Sequence, residues 1–139
     1  MALSYTSTFQ YKPGLGNVAS FEVSGIPYVS GGLDATSALN LTFPSVTRWV
    51  TVTNLAANAD LKLGFTANGV AGTNYVVVPA NSILGPLELK VTQLHLTGGA
   101  AGSSSVAAGL TYISAGEINN PQMSPSGSNW SGSAAAVVG

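Results

Sequence analysis

The chain has 139 residues, of which 45 % are apolar and only 6 % charged, with a formal net charge of −1 and no cysteine. That length and apolar content suffice for one domain around a single core. Four scattered Lys and Arg side chains exclude a phosphate-binding basic face, and the lack of thiols excludes disulfides and thiolate metal sites.

Composition divides the chain into an N-terminal arm (residues 1–16), a folded domain (17–114) and a C-terminal arm or tail (115–139). Met1 to Tyr11 lacks the basic start and apolar run of a signal peptide. No stretch approaches the roughly 18 continuous apolar residues of a membrane span. Synthesis in a cytoplasm without signal-peptide export is the expectation, with no membrane span.

Within the domain, period-two alternation dominates. Ser20 to Val23 and Ile26 to Val29 read as one interrupted strand, or a strand pair, around Gly25. Leu39-Asn40-Leu41-Thr42-Phe43 alternates apolar and polar and stops at Pro44. Thr47 to Asn54 is β-branched and aromatic, with Val50 and Val52 on one face and Trp49, Thr51 and Thr53 on the other. After a turn at Asn58-Ala59-Asp60, Leu61, Leu63 and Phe65 face one way and Lys62 the other. Ala67-Asn68-Gly69 reads as a turn, Tyr75 to Val78 as a short apolar strand ended by Pro79, and Ser82 to Pro86 as another turn. Leu87, Leu89 and Val91 alternate with Glu88 and Lys90. Leu94-His95-Leu96 places His95 outward, Gly98 to Ser105 is a flexible loop, and Val106, Ala108, Leu110 and Tyr112 form the last strand.

About eight strands at a spacing of roughly 8–12 residues, with no sustained 3.6 period, predict an all-β, antiparallel β-sandwich with little or no α-helix. Eight strands suit a single jelly roll of two four-stranded sheets. Strand count alone leaves an immunoglobulin-like topology open. The faces Leu39/Leu41/Phe43, Leu61/Leu63/Phe65 and Leu87/Leu89/Val91 are expected to close the core.

An ordinary soluble domain is roughly 25 % charged and keeps itself dispersed with a mixed charged surface. This chain offers Ser, Thr, Asn, Gly and Ala instead. Such side chains lose little entropy on being covered and carry no charge to desolvate. Much of the surface is therefore expected to be covered by neighbours in an assembly. The plainer alternative is an uncharged, monomeric, secreted domain. The tail Asn119 to Gly139 is rich in Pro, Gly, Ser and Asn, yet carries Trp130 and then Val137-Val138. These three residues are the candidate anchor of an arm ordered by contact; the alternative is a frayed end with an incidental Trp.

The chemical motifs are weak. Gly14-Leu15-Gly16-Asn17-Val18-Ala19 matches G-x-G-x-x-A with Asp34 further on, but no strand before it or helix after it is evident. His95 is the only histidine, so any Ser-His-Asp triad would need it; a non-catalytic role paired with polar neighbours is the simpler reading. One His and five dispersed carboxylates show no metal-ligand spacing. Glu88 beside Lys90 reads as a cross-strand ion pair rather than half of a glycosidase dyad. No catalytic residue, cofactor or metal ligand is nominated, and the chain is read as a non-enzyme. Trp49 with Tyr75 or Tyr112 could form a sugar-stacking platform, though strand aromatics more often fill cores and interfaces. Asn40-Leu41-Thr42 and Asn129-Trp130-Ser131 are glycosylation sequons, meaningful only on a secretory route.

The run Gly14 to Val29 (GLGNVASFEVSGIPYV) resembles a segment of small proteins from large algal and marine DNA viruses. Phe43-Pro44-Ser45-Val46-Thr47 is similar to their FP-x-V-T strand entry. Val52-Thr53-Asn54, Leu61 to Phe65, Tyr75 to Pro79, and Leu87 to Lys90 leading to Leu94-His95-Leu96 continue the likeness. It covers roughly residues 11–113 and fades in the tail; Ala19 stands where the pattern has Gly, a local turn or packing detail. The resemblance implies a single jelly-roll capsid protein of an icosahedral double-stranded DNA virus, a penton or minor capsid subunit with no catalytic residues. The expected role is the penton subunit at fivefold vertices, a pentamer of identical copies in contact with neighbouring capsid proteins, and without direct nucleic-acid binding. A closed ring requires head-to-tail interfaces. The expected location is the virion, after assembly in the host cytoplasm. The alternatives are another virion part (minor capsid, head-decoration or fibre protein) and a carbohydrate-binding β-sandwich module.

Overall fold

The computed structural model describes residues 14, 18–22, 25–118 and 138. Eight strands carry the fold: β1 (Ile26–Leu33), β2 (Leu39–Thr42), β3 (Ser45–Asn54), β4 (Leu61–Gly64), β5 (Tyr75–Val78), β6 (Ser82–Leu87), β7 (Gln93–Thr97) and β8 (Ser104–Ser114). Two short helices, α1 (Ala19–Glu22) and α2 (Ala67–Ala71), and a 3₁₀ turn at Ala115–Glu117 complete the described elements. The strands form two four-stranded sheets, ordered β1-β8-β3-β6 and β2-β7-β4-β5. Every neighbouring pair is antiparallel. The predicted all-β sandwich is what the chain forms.

The pairings are nested. β4 pairs with β5, and β2 with β7 and β1 with β8 enclose that hairpin, with β3 and β6 paired between them. The chain changes sheet at every connection except the one from β4 to β5. It is thus one long antiparallel hairpin folded over on itself, with the apolar faces of the two halves turned together.

Alternation explains which side chains meet. Val50 and Val52 of β3, Val106 and Ala108 of β8, Leu61 and Leu63 of β4, and Leu94 and Leu96 of β7 are all buried in one cluster with Phe43, Val78 and Val91. Leu39, Leu41, Phe65, Leu87 and Leu89 pack against it half-buried, so all three predicted apolar faces reach this core. The Tyr28 ring meets Phe43 edge-on, with centroids 4.9 Å apart and planes at 80°, a favoured aromatic geometry. A second, smaller cluster joins Val46, Ile113 and Ile118, with Phe21 of α1 packed against it.

Four local expectations are corrected. Of Ser20 to Val23, read as strand, Ser20 to Glu22 lie in α1, where the Phe21 N–H returns to the Val18 carbonyl at 2.9 Å, and Val23 lies outside the described residues; four residues are too few for alternation to distinguish strand from turn. Ala67-Asn68-Gly69, read as a turn, opens α2, because the Thr66 side chain caps it by accepting from the Gly69 N–H at 2.9 Å. Ser82 to Pro86, also read as a turn, is strand β6. Proline is tolerated there because β6 is the edge of its sheet. Gly85 supplies a φ of +114°, where a Cβ would come within 2.7 Å of the Val50 carbonyl. Residues 88–91 keep the predicted alternation of burial but form no strand. There the chain crosses between sheets. The Thr47 hydroxyl replaces a ladder partner, donating to the Leu89 carbonyl and accepting from the Val91 N–H, while the Thr47 N–H donates to the Val91 carbonyl at 3.0 Å.

Candidate functional site

Among the described residues, two places on the sandwich combine exposure with chemistry: a groove at Trp49 and the outer edges of the sheets. Trp49 points outward from β3, as alternation predicts. It lies over Gly109 of β8, where a Cβ would collide with the indole nitrogen. The missing side chain lets the ring lie down on the sheet. Trp49 and Thr51 then form one wall of a groove of about 620 Å³, and Pro86, Leu87, Glu88 and Leu89 form the other. A smaller hollow beside it shares Trp49 and Glu88 and adds Phe21, Arg48 and Lys90. The Lys90 ammonium sits 4.6 Å from the Phe21 ring centroid, a cation–π contact. The groove therefore offers one aromatic face, an apolar floor, a hydroxyl and a carboxylate.

Sequence reasoning nominated Trp49 but not its partners Pro86 to Leu89, whose position depends on the β3–β6 register. The structure does not bring Tyr75 or Tyr112 to the groove. Tyr75 belongs to β5 in the other sheet, where the Lys62 ammonium lies 4.6 Å from its ring centroid. Tyr112 is 74 % exposed on β8 and lines neither hollow.

His95 is buried, at 8 % exposure, and this corrects the expectation of a surface histidine. Alternation is intact, since Leu94 and Leu96 face the core. The outer side is covered, however. His95 stands opposite Gly64 in the β4–β7 ladder, and a Cβ on Gly64 would meet Val70 of α2 at 2.8 Å. Residues paired across an antiparallel ladder share a face, so α2 covers the face that carries His95. The ring nitrogen Nε2 lies 3.1 Å from Gln93 Oε1. No nucleophile is presented by that contact.

Burial pulls the His95 pKa below its ordinary value of 6.5. The unfolded chain therefore takes up a proton first as the pH falls. Stability should be full above pH 6.5, decline below it, and level off once the folded ring also protonates. Denaturant unfolding at about pH 8 and about pH 5 should show this decline, and His95→Gln should flatten it relative to the parent. Equal pH slopes in the two proteins would contradict the assignment.

The other polar candidates are spent on local structure. The Asp34 carboxylate accepts from the Thr36 N–H at 3.0 Å and its hydroxyl at 2.6 Å, and these bonds hold its pKa below the usual carboxylate value. Asp60 Oδ1 accepts from the Ala80 N–H at 3.1 Å. The helix following the G-x-G-x-x-A match is a single turn, Ala19–Glu22. Among the described residues no group of three or more His, Cys, Asp or Glu could hold a metal, and no helix is long and apolar enough to cross a membrane.

The edges are less ordinary. β5 and β6 end their respective sheets on one side of the sandwich, and β1 and β2 on the other. The first side exposes Tyr75, Val76, Val77 and Ile83; β1 exposes Ile26 and Val29. Edge strands normally carry charge as protection against pairing with other chains, and neither β1 nor β5 contains a charged residue. Of the arm residues nominated from sequence, Trp130 and Val137 lie outside the described residues. Val138 is half-buried, and its carbonyl accepts from the Thr66 hydroxyl at 2.9 Å. Comparison with family models, curated proteins and solved structures finds no match to this chain.

Proposed function

We propose that the chain is a structural subunit of the capsid of an icosahedral large double-stranded DNA virus, placed as a pentamer at the fivefold vertices. The observation that carries the reading is the nested strand order, β1-β8-β3-β6 over β2-β7-β4-β5. We read this order as a single jelly roll, two Greek keys closed face to face, an architecture that recurs in capsid domains. Two further features support assembly. The surface is poor in charge, and the two open sides of the sandwich carry different uncharged apolar edges. Distinct, non-identical patches suit the head-to-tail contacts of a closed ring. The partners are copies of the chain and neighbouring capsid proteins, and the site of action is the virion. A minor capsid, decoration or fibre position would use the same surfaces with a different symmetry.

The test is to charge each edge separately. Val29→Lys on β1 and Val76→Lys on β5 both replace exposed side chains, so each should change stability by no more than about 0.5 kcal/mol. Each should nevertheless reduce the ring to monomers, visible by light scattering after size exclusion. Association undisturbed by either variant would overturn the edge-to-edge ring.

The Trp49 groove favours a second reading, a carbohydrate-binding module, because an aromatic face beside a hydroxyl and a carboxylate can stack on and hydrogen-bond a sugar. Glycan binding by a stable monomer, lost in Trp49→Ala, would establish that reading in place of the first.

A further inference from the structure

The corner where β4 runs into α2 holds an unusual contact. Thr66 caps α2, accepting from the Gly69 N–H at 2.9 Å, and its hydroxyl proton goes to the Val138 carbonyl, also at 2.9 Å. A hydroxyl has one proton and two lone pairs, so the two bonds are compatible. Gly69 is buried, and a Cβ there would collide with the Val138 carbonyl oxygen. It would also approach Thr66 Oγ1 at 2.9 Å and the Asn74 carbonyl at 3.1 Å. A helix gains roughly 1 kcal/mol when Gly is replaced by Ala, so helix formation does not call for glycine at this position. The space it leaves is filled by the main-chain carbonyl of Val138, which lies 72 positions from the capping Thr66.

The other end of that segment is also fixed. Ile118 is fully buried with Val46 and Ile113. Residues 119–137 between the two anchors contain no charged side chain. A stretch of that length reaches at most about 65 Å. Its length therefore allows docking on its own body or on an adjacent one. The corner, moreover, adjoins the exposed edge: Asn74 is followed directly by Tyr75 of β5, the edge at which a neighbour is proposed to pack.

We infer that the Thr66–Gly69 corner is a docking site for the main chain at residue 138, filled within the chain in an isolated molecule and by a neighbouring copy's C-terminal segment in the assembly. Exchange loses no contact, because the same carbonyl meets the same hydroxyl, and proximity decides which copy supplies it. The exchange rests on the capsid reading; the docking site does not.

The chain's lack of cysteine makes the test clean. With Val138→Cys as a reporter in the full chain, adding Thr66→Ala should raise thiol labelling about fivefold, the change carried by one hydrogen bond of about 1 kcal/mol. Thr66→Ser, which keeps the hydroxyl, should leave labelling unchanged. Equal labelling of all three would overturn the docking site. For exchange, T66C and V138C chains are prepared separately, mixed under dissociating conditions, assembled and oxidised. A disulfide-linked pair of chains is expected. Assembly without that link would overturn exchange while leaving the capsid reading intact. A chain that never assembles, yet responds to Thr66→Ala, would overturn exchange together with the capsid reading and uphold the docking site.

Discussion

Asn54→Asp should destabilise the fold by about 3–5 kcal/mol at neutral pH, a shift read from the denaturation midpoint. Asn54 is fully buried at the end of β3. Its amide nitrogen donates to the carbonyls of Ala59 at 2.8 Å, Val78 at 3.1 Å and Pro79 at 3.3 Å, and its oxygen accepts from the Ala56 N–H at 3.1 Å. One side chain thus pins the β3–β4 loop and the end of β5 to the opposite sheet. Aspartate has the same shape but, when ionised, no donor, so it would aim a charge at three carbonyl oxygens. Burial and those oxygens would both raise its pKa in the folded state, so protonation would favour folding and the penalty should shrink toward pH 4, roughly the pKa of an unfolded aspartate. Ser104, Asn54's partner in the β3–β8 ladder, supplies the control. Its buried hydroxyl has no hydrogen-bond partner among the described residues, so Ser104→Ala should leave stability unchanged or raise it slightly. A loss for Ser104→Ala as large as for Asn54→Asp would show that close packing, rather than hydrogen bonding, governs this end of the sandwich.

Phe43→Ala should cost a similar amount, about 3–5 kcal/mol, lowering the melting temperature by roughly 10–20 °C. Phe43 is 1 % exposed, and its ring stands edge-on to Tyr28 between the sheets. Its N–H donates to the Thr92 carbonyl at 2.8 Å, so the backbone is held and the walls of the void cannot close in freely. Phe43→Leu, which fills most of the volume, should recover more than half of the loss. A Phe43→Ala protein melting within a few degrees of the parent would mean that the sheets can slide together to fill the gap.

What the sequence discloses is burial rather than pairing. Val50 and Val52, Leu61 and Leu63, and Leu94 and Leu96 reveal the core because a strand with one buried face must alternate. The same signal misleads at Leu89 and Val91, which continue the alternation of Leu87 beyond the end of β6 without a ladder because Thr47 supplies their partners from a distance. β6 is disguised by Pro86, harmless on an edge that no sequence pattern announces. His95 sits on the side of β7 that alternation predicts, yet α2 hides it, and α2 itself is a five-residue helix begun by one threonine hydroxyl. Of the candidate sites, Trp49 stands out as a strand aromatic on the polar face. Its opposite wall depends on the β3–β6 register, which is set by long-range pairing and by a register shift between Val50 and Val52. The contact between Thr66 and Val138 is more remote still: the apolar pair in a polar tail marks Val138 as an anchor, but the corner that receives its carbonyl reads only as a turn.

The most direct test of the account is the stoichiometry of the purified full-length chain by native mass spectrometry at micromolar concentration. A discrete closed oligomer is predicted, with five copies as the dominant species, dissociating when either apolar edge is charged. A protein found only as monomers under the same conditions, and remaining so when mixed with capsid components, would contradict it.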